Sequence, residues 1–134
     1  MLVSRPVLAV DLPVVLLEHM DDEVLALSIE ESELEHGPVW APGQGNVPLG
    51  TDKLIDILNQ WALKAYPQYQ AIRIREIILK PIESPTYGTH WHYLVAFRGL
   101  PRAEGQVRQQ EGRLHMVAVL FNGKVIPGVI EPRP

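Results

Sequence analysis

The residues of this chain with the clearest capacity for chemistry are three histidines and one glutamate. His90-Trp91-His92 places two imidazoles at i and i+2. On a strand such residues project from one face, the presentation that β-sheet metal sites use. His115 is the obvious third ligand from a neighbouring strand, and Glu76 could bring a carboxylate towards His92 diagonally. Register limits the idea. If the connection from Gly99 to Gly112 closes symmetrically, Arg98 faces Arg113 and His115 falls opposite Ala96. His115 then shares the face of His92 but sits roughly 13 Å away along the strand, too far for one ion. A small metal-dependent enzyme built on His90, His92 and His115 or Glu76 therefore stands only as the alternative reading. No metal or other cofactor is expected.

Other catalytic arrangements are weaker. No cysteine is present, which removes disulfide scaffolds, zinc-thiolate sites and thiol nucleophiles. None of Ser4, Ser28, Ser32 and Ser84 lies in a Gly-x-Ser-x-Gly elbow. Gly43-Gln44-Gly45-Asn46 is followed by no phosphate-loop lysine. The run Glu30, Glu31, Glu33, Glu35 reads as a solvated acidic stretch rather than a matched acid and base. No catalytic residue is assigned.

Charge is divided along the chain. The formal net charge is −4, but between Pro6 and Asp52 there is no lysine or arginine. Residues 1–52 carry a net charge of −9 and residues 53–134 a net charge of +5. An acidic segment lying across the basic part of its own fold is one explanation. Head-to-tail association, the acidic face of one copy meeting the basic face of another, is the second. Nucleic-acid binding is disfavoured by overall acidity, although Arg73 and Arg75 share a strand face and Trp91 and Tyr93 offer stacking surfaces.

The elements that must position these groups follow from periodicity. Val7 to Val10 and Val14 to Met20 read as strands around Pro13, and Glu23 to Ile29 as a strand pairing back on residues 14–20. Residues 23–34 also fit a helical stripe, so their state stays open. Glu35 to Gly50, with three prolines and four glycines, is a loop carrying the pair Val39-Trp40. A helix follows, capped by Thr51 or Asp52, with Leu54, Ile55, Leu58, Trp61, Ala62 and Ala65 as its apolar stripe and Pro67 as its stop. Residues 71–82, 90–98, 114–121 and 124–130 read as strands, with a bulge at Glu76 and Pro127 demanding an edge position. Asn122-Gly123 signals a two-residue hairpin turn with positive φ at both positions.

The expectation is one α+β domain spanning residues 1–134. It comprises an acidic N-terminal β-hairpin (1–34), a Pro/Gly loop (35–50), and a main helix packed on a curved antiparallel four-strand meander (51–134). The layout is similar to cystatin-like rolls in element order alone. The binding loop of that inhibitor family, of Gln-Val-x-Gly type, is not reproduced: Gly105-Gln106-Val107-Arg108 lacks the closing glycine. Layout licenses no function.

The functional expectation is a non-enzymatic structural or protein-interaction subunit of a larger assembly, a virion or phage particle component being one example. It would associate with itself or another subunit through complementary acidic and basic faces. Trp40 and Val39 on the loop, Arg73 and Arg75 on the strand, and Glu31 and Glu33 in the acidic run are the expected contacts. Trp40 lidding its own core is an equal alternative. A monomeric inhibitor or immunity-type binder is another. Proline-containing segments at both ends suit docking against a partner. The apolar stretch Pro6 to Leu17 is interrupted by Asp11 and Pro13, so a signal peptide is not expected. The expected location is the cytoplasm of the producing cell or a particle assembled there, with no membrane span.

Overall fold

From Tyr93 to Phe97 the chain reads Tyr-Leu-Val-Ala-Phe without a charged residue, and in the folded protein both faces of this strand are covered. A strand buried on both sides shows a continuous apolar run instead of alternation. The computed structural model describes residues 13–19, 23–102 and 112–132. The expected strand at Val7 to Val10, the interior of the Gly99 to Gly112 connection and the terminal Arg133-Pro134 lie outside them.

The fold is mixed α+β. Strands β3 (Tyr69–Ser84), β4 (Gly88–Pro101), β5 (Leu114–Val119) and β6 (Val125–Pro127) form an antiparallel sheet in that order. A second antiparallel sheet has the order β1 (Pro13–His19), β2 (Glu23–Glu30), β7 (Val129–Pro132). Helix α1 (Glu31–Glu35) follows β2, and α2 (Thr51–Ala65) precedes β3.

The four-stranded sheet is the middle layer. Tyr93, Val95 and Phe97 of β4 and Val117 and Val119 of β5 pack with Leu54, Leu58 and Ala62 of α2. These three helix residues recur every fourth position and are fully buried, while Ile55 of the expected stripe is exposed. On the other face Leu94, Ala96, Met116 and Ala118 meet Leu25, Leu27 and Ile29 of β2. Those three β2 side chains have no exposed surface, and each contributes about 2 kcal/mol of burial.

Residues 23–34 resolve into both readings: strand through Glu30, then a single short helix. The bulge at Glu76 is present as a register shift between Ile74 and Glu76. Helix α2 starts differently from expectation. Its N-cap is Gly50, without a side-chain cap bond from Thr51 or Asp52. The Asn122-Gly123 turn also differs, since only Gly123 has positive φ, at 92°. Gly123 N–H donates to the Leu120 carbonyl and Leu120 N–H to that of Lys124. The loop thus has three residues, closed by a glycine in the left-handed region.

The expected strand 124–130 is two strands in two sheets. Pro127 ends β6 at the sheet edge, as its missing N–H requires. At Gly128 the chain then leaves for the second sheet, where β7 pairs with β2. A Cβ at Gly128 would lie 2.5 Å from Leu25 Cδ1 and 2.9 Å from the Met116 carbonyl, so the crossing needs a residue without a side chain.

Candidate functional site

The pairing of β4 with β5 separates the histidines. His115 stands opposite Phe97, not Ala96. A register change of one residue reverses the face. His115 therefore lies on the α2 side, its ring stacked on Phe97 at 5.1 Å, while His92 is on the β2 side with Leu94. Glu76 is exposed opposite Ala96. His90 gives its ring Nε2 to a 3.0 Å hydrogen bond with the Tyr87 carbonyl. Among the described residues no cluster of three His, Cys, Asp or Glu could hold a metal.

His92 is wholly buried, and among the described residues neither ring nitrogen has a hydrogen-bond partner. Desolvation, reinforced by the Lys80 charge across the β3–β4 pair, lowers its pKa to about 4. The imidazole is a neutral core side chain at pH 7.

The acidic α1 is held by the β3–β4 turn. Glu31 accepts hydrogen bonds from Ser84 Oγ (3.0 Å) and Thr86 Oγ1 (3.1 Å), and Glu35 from the Tyr87 hydroxyl (3.1 Å). Glu33 is ion-paired with Lys124. Two of the expected contact residues, Glu31 and Glu33, thus have partners within the chain. Among the described residues, the five carboxylates Glu30, Glu31, Glu33, Glu35 and Glu83 are accompanied here by Lys124, with Lys80 farther along β3.

Arg73 and Arg75 are at the other end of the same strand and are exposed. Arg73 stands directly opposite Arg98, which in turn is opposite Leu114, beside Arg113. Arg102 follows β4 at this end. Like charges opposite one another across strands are unfavourable, so this arginine cluster is not explained by sheet stability. Arg73 and Glu83 are roughly 30 Å apart along β3.

Trp40 is buried, packed edge-to-face on Trp91 and Phe121, and its Nε1 donates to the Gly45 carbonyl at 3.2 Å. It lids the core above the four-stranded sheet. Val39, its neighbour, is 82% exposed. The loop around them is pinned by Gln44, whose N–H donates to the Ala41 carbonyl and whose Oε1 accepts from Ala41 N–H.

Near the basic end lies a cleft of about 560 Å³, lined among others by Glu23, Tyr66, Arg98, Arg113, His115 and Val129. The Tyr69 hydroxyl is 2.8 Å from His115 Nε2, and the Tyr66 ring packs 4.5 Å from the His115 ring. Burial and the nearby Arg113 charge lower the His115 pKa. Tyr69 crosses Gly99 and Gly112: a Cβ at Gly99 would fall 2.2 Å from its ring. Sequence reasoning passed over Tyr69, Arg98 and Arg113 as site residues. The available signal was the symmetric frame Arg98-Gly99 and Gly112-Arg113 around one connection.

Compared with protein-family models, curated proteins and solved structures, the chain matches none of them. No helix among the described residues is long and apolar enough to cross a membrane.

Proposed function

We propose that the chain is a non-enzymatic interaction subunit that assembles head to tail, the acidic end of one copy meeting the basic end of the next. The separation of charge along β3 carries this reading. Among the described residues Glu31, Glu33, Glu35 and Glu83 stand at one end, and Arg73, Arg75, Arg98 and Arg113, with Glu23 and Glu76 among them, at the other, which leaves the two ends with opposite net charge. Charge complementarity of this kind sets orientation and association rate more than affinity, and a heterologous contact repeats into a ring or filament. Val39, displayed by a loop that Trp40 fixes, adds an apolar contact beside the acidic pole at little ordering cost.

The test is mass in solution by light scattering, at low and high salt. A salt-sensitive oligomer is expected. Arg75→Glu reverses part of the basic pole and Glu35→Lys part of the acidic one, so each variant alone is expected to have a smaller mass than the wild type at low salt. Mixed in equal amounts they retain one intact acidic pole and one intact basic pole, and dimers are expected. A wild-type protein that stays monomeric at low salt, or an oligomer indifferent to both reversals, would sink the reading.

A further inference from the structure

We infer that the cleft between β5 and the start of β7 is a binding site for a carboxylate group. Its existence follows from the crossing at Gly128. Strand β6 pairs only with Val117–Val119 of β5, and the last bond before the chain changes sheets is Gly128 N–H to the Met116 carbonyl. Beyond that point Leu114 and His115 lack a β6 neighbour, and the cleft opens there. Its volume is in the range of small-molecule sites, roughly 300–1,000 Å³.

The lining chooses the chemistry. Arg98 is half-buried, and one guanidinium N–H donates to the Gly112 carbonyl at 3.1 Å. That bond fixes the side chain and leaves the other donors of its five-donor fork. Among the described residues no carboxylate lies within ion-pair distance of Arg98 or Arg113. Holding a guanidinium half out of water without an anion is unfavourable, and a ligand oxyanion relieves it. Tyr66, Leu114, Met116 and Val129 supply apolar surface for the body that carries the anion.

Charge sets the number of negative charges. Two arginines and Glu23 line the cleft, and His115 is held neutral by its burial. One net positive charge remains. It matches a monoanionic carboxylate better than a phosphate dianion. The carboxylate can belong to a small organic acid or to a side chain of a second copy. The inference rests on the lining alone and survives if the chain proves monomeric.

The experiment is saturation-transfer NMR on the full chain with benzoate at pH 7.5, alone and in competition with inorganic phosphate. Benzoate is expected to receive saturation and to perturb the His115 ring signals. Arg98→Gln and Arg113→Ala are each expected to weaken it about tenfold. Arg113 is exposed, so its variant folds even if the half-buried Arg98 proves less forgiving. Light scattering in the same buffer separates the sources. An unchanged mass assigns the site to a free organic acid, and dissociation of an oligomer assigns it to the carboxylate of a neighbouring copy. Absence of benzoate binding, displacement of benzoate by an equal concentration of phosphate, or binding untouched by both substitutions would overturn the assignment.

Discussion

The hydroxyl of Tyr69 and Nε2 of His115 are joined by a buried 2.8 Å hydrogen bond that passes over β4 from the start of β3 to β5. The bond ties the first turn of chain after α2 to β5, and it occupies one ring nitrogen of a histidine that lines the cleft. Tyr69→Phe keeps the ring over Gly99 and Gly112 and removes only the hydroxyl. A loss of about 1 kcal/mol is expected in urea denaturation, with an unchanged m-value. A loss near zero would show that water replaces the bond.

His92 makes stability depend on pH on the acid side. Its folded pKa, about 4, is below the unfolded value of 6.5, so between these the unfolded chain binds the extra proton. Stability from this residue is full above about pH 6.5 and falls as pH drops towards 4, by about 3 kcal/mol in all. His115, also lowered, acts in the same direction. His92→Leu substitutes an apolar side chain for two unsatisfied nitrogens and should flatten the slope. Parallel denaturation curves at pH 7.5 and 5 decide it; an equal slope in both proteins would refute the role.

Trp40 and Val39 should separate stability from association. Trp40→Ala leaves a cavity against Trp91 and Phe121 and is expected to cost about 3 kcal/mol, whereas Trp40→Phe retains most of the packing. Val39→Asp, on an exposed side chain, should change the melting temperature little and reduce oligomer mass. A large stability loss in Val39→Asp would place that residue in the core after all.

Gly128→Ala tests the crossing. The new Cβ would meet Leu25 and the Met116 carbonyl well inside contact distance, and backbone cannot retreat as a flexible side chain can. A loss of about 2 kcal/mol or more is expected, with Gly45→Ala giving a φ-strain comparison in a place without neighbours. Equal effects at both positions would mean that close packing at Gly128 is not what matters.

Much of the helix and of β3 to β5 was legible in residue spacing, because Leu54, Leu58 and Ala62, and Tyr93, Val95 and Phe97, each carry one strong periodic signal. The second face of β4 was not. His90, His92, Leu94 and Ala96 read as a mixed face, and only the arrival of β2 decides that His92 is in the core. His115 was assigned the wrong face because register rests on pairing beyond the loop, where Leu114 opposes Arg98. The division of charge was plain in sequence, but not which charges meet: the fold brings Glu83 of the basic half near the acidic α1 and sets Glu23 of the acidic half beside Arg98 and Arg113.

The change of sheet at Gly128 also orders events in time. Leu25 of β2 pairs with Ile130, so one neighbour of β2 is absent until synthesis has passed residue 130. During that interval the side of the central sheet formed by Leu94, Ala96, Met116 and Ala118 lacks its final clamp. Contacts between positions so distant in sequence form slowly and leave apolar surface exposed meanwhile. A chain stopped before Gly128 therefore lacks the β7 neighbour of β2.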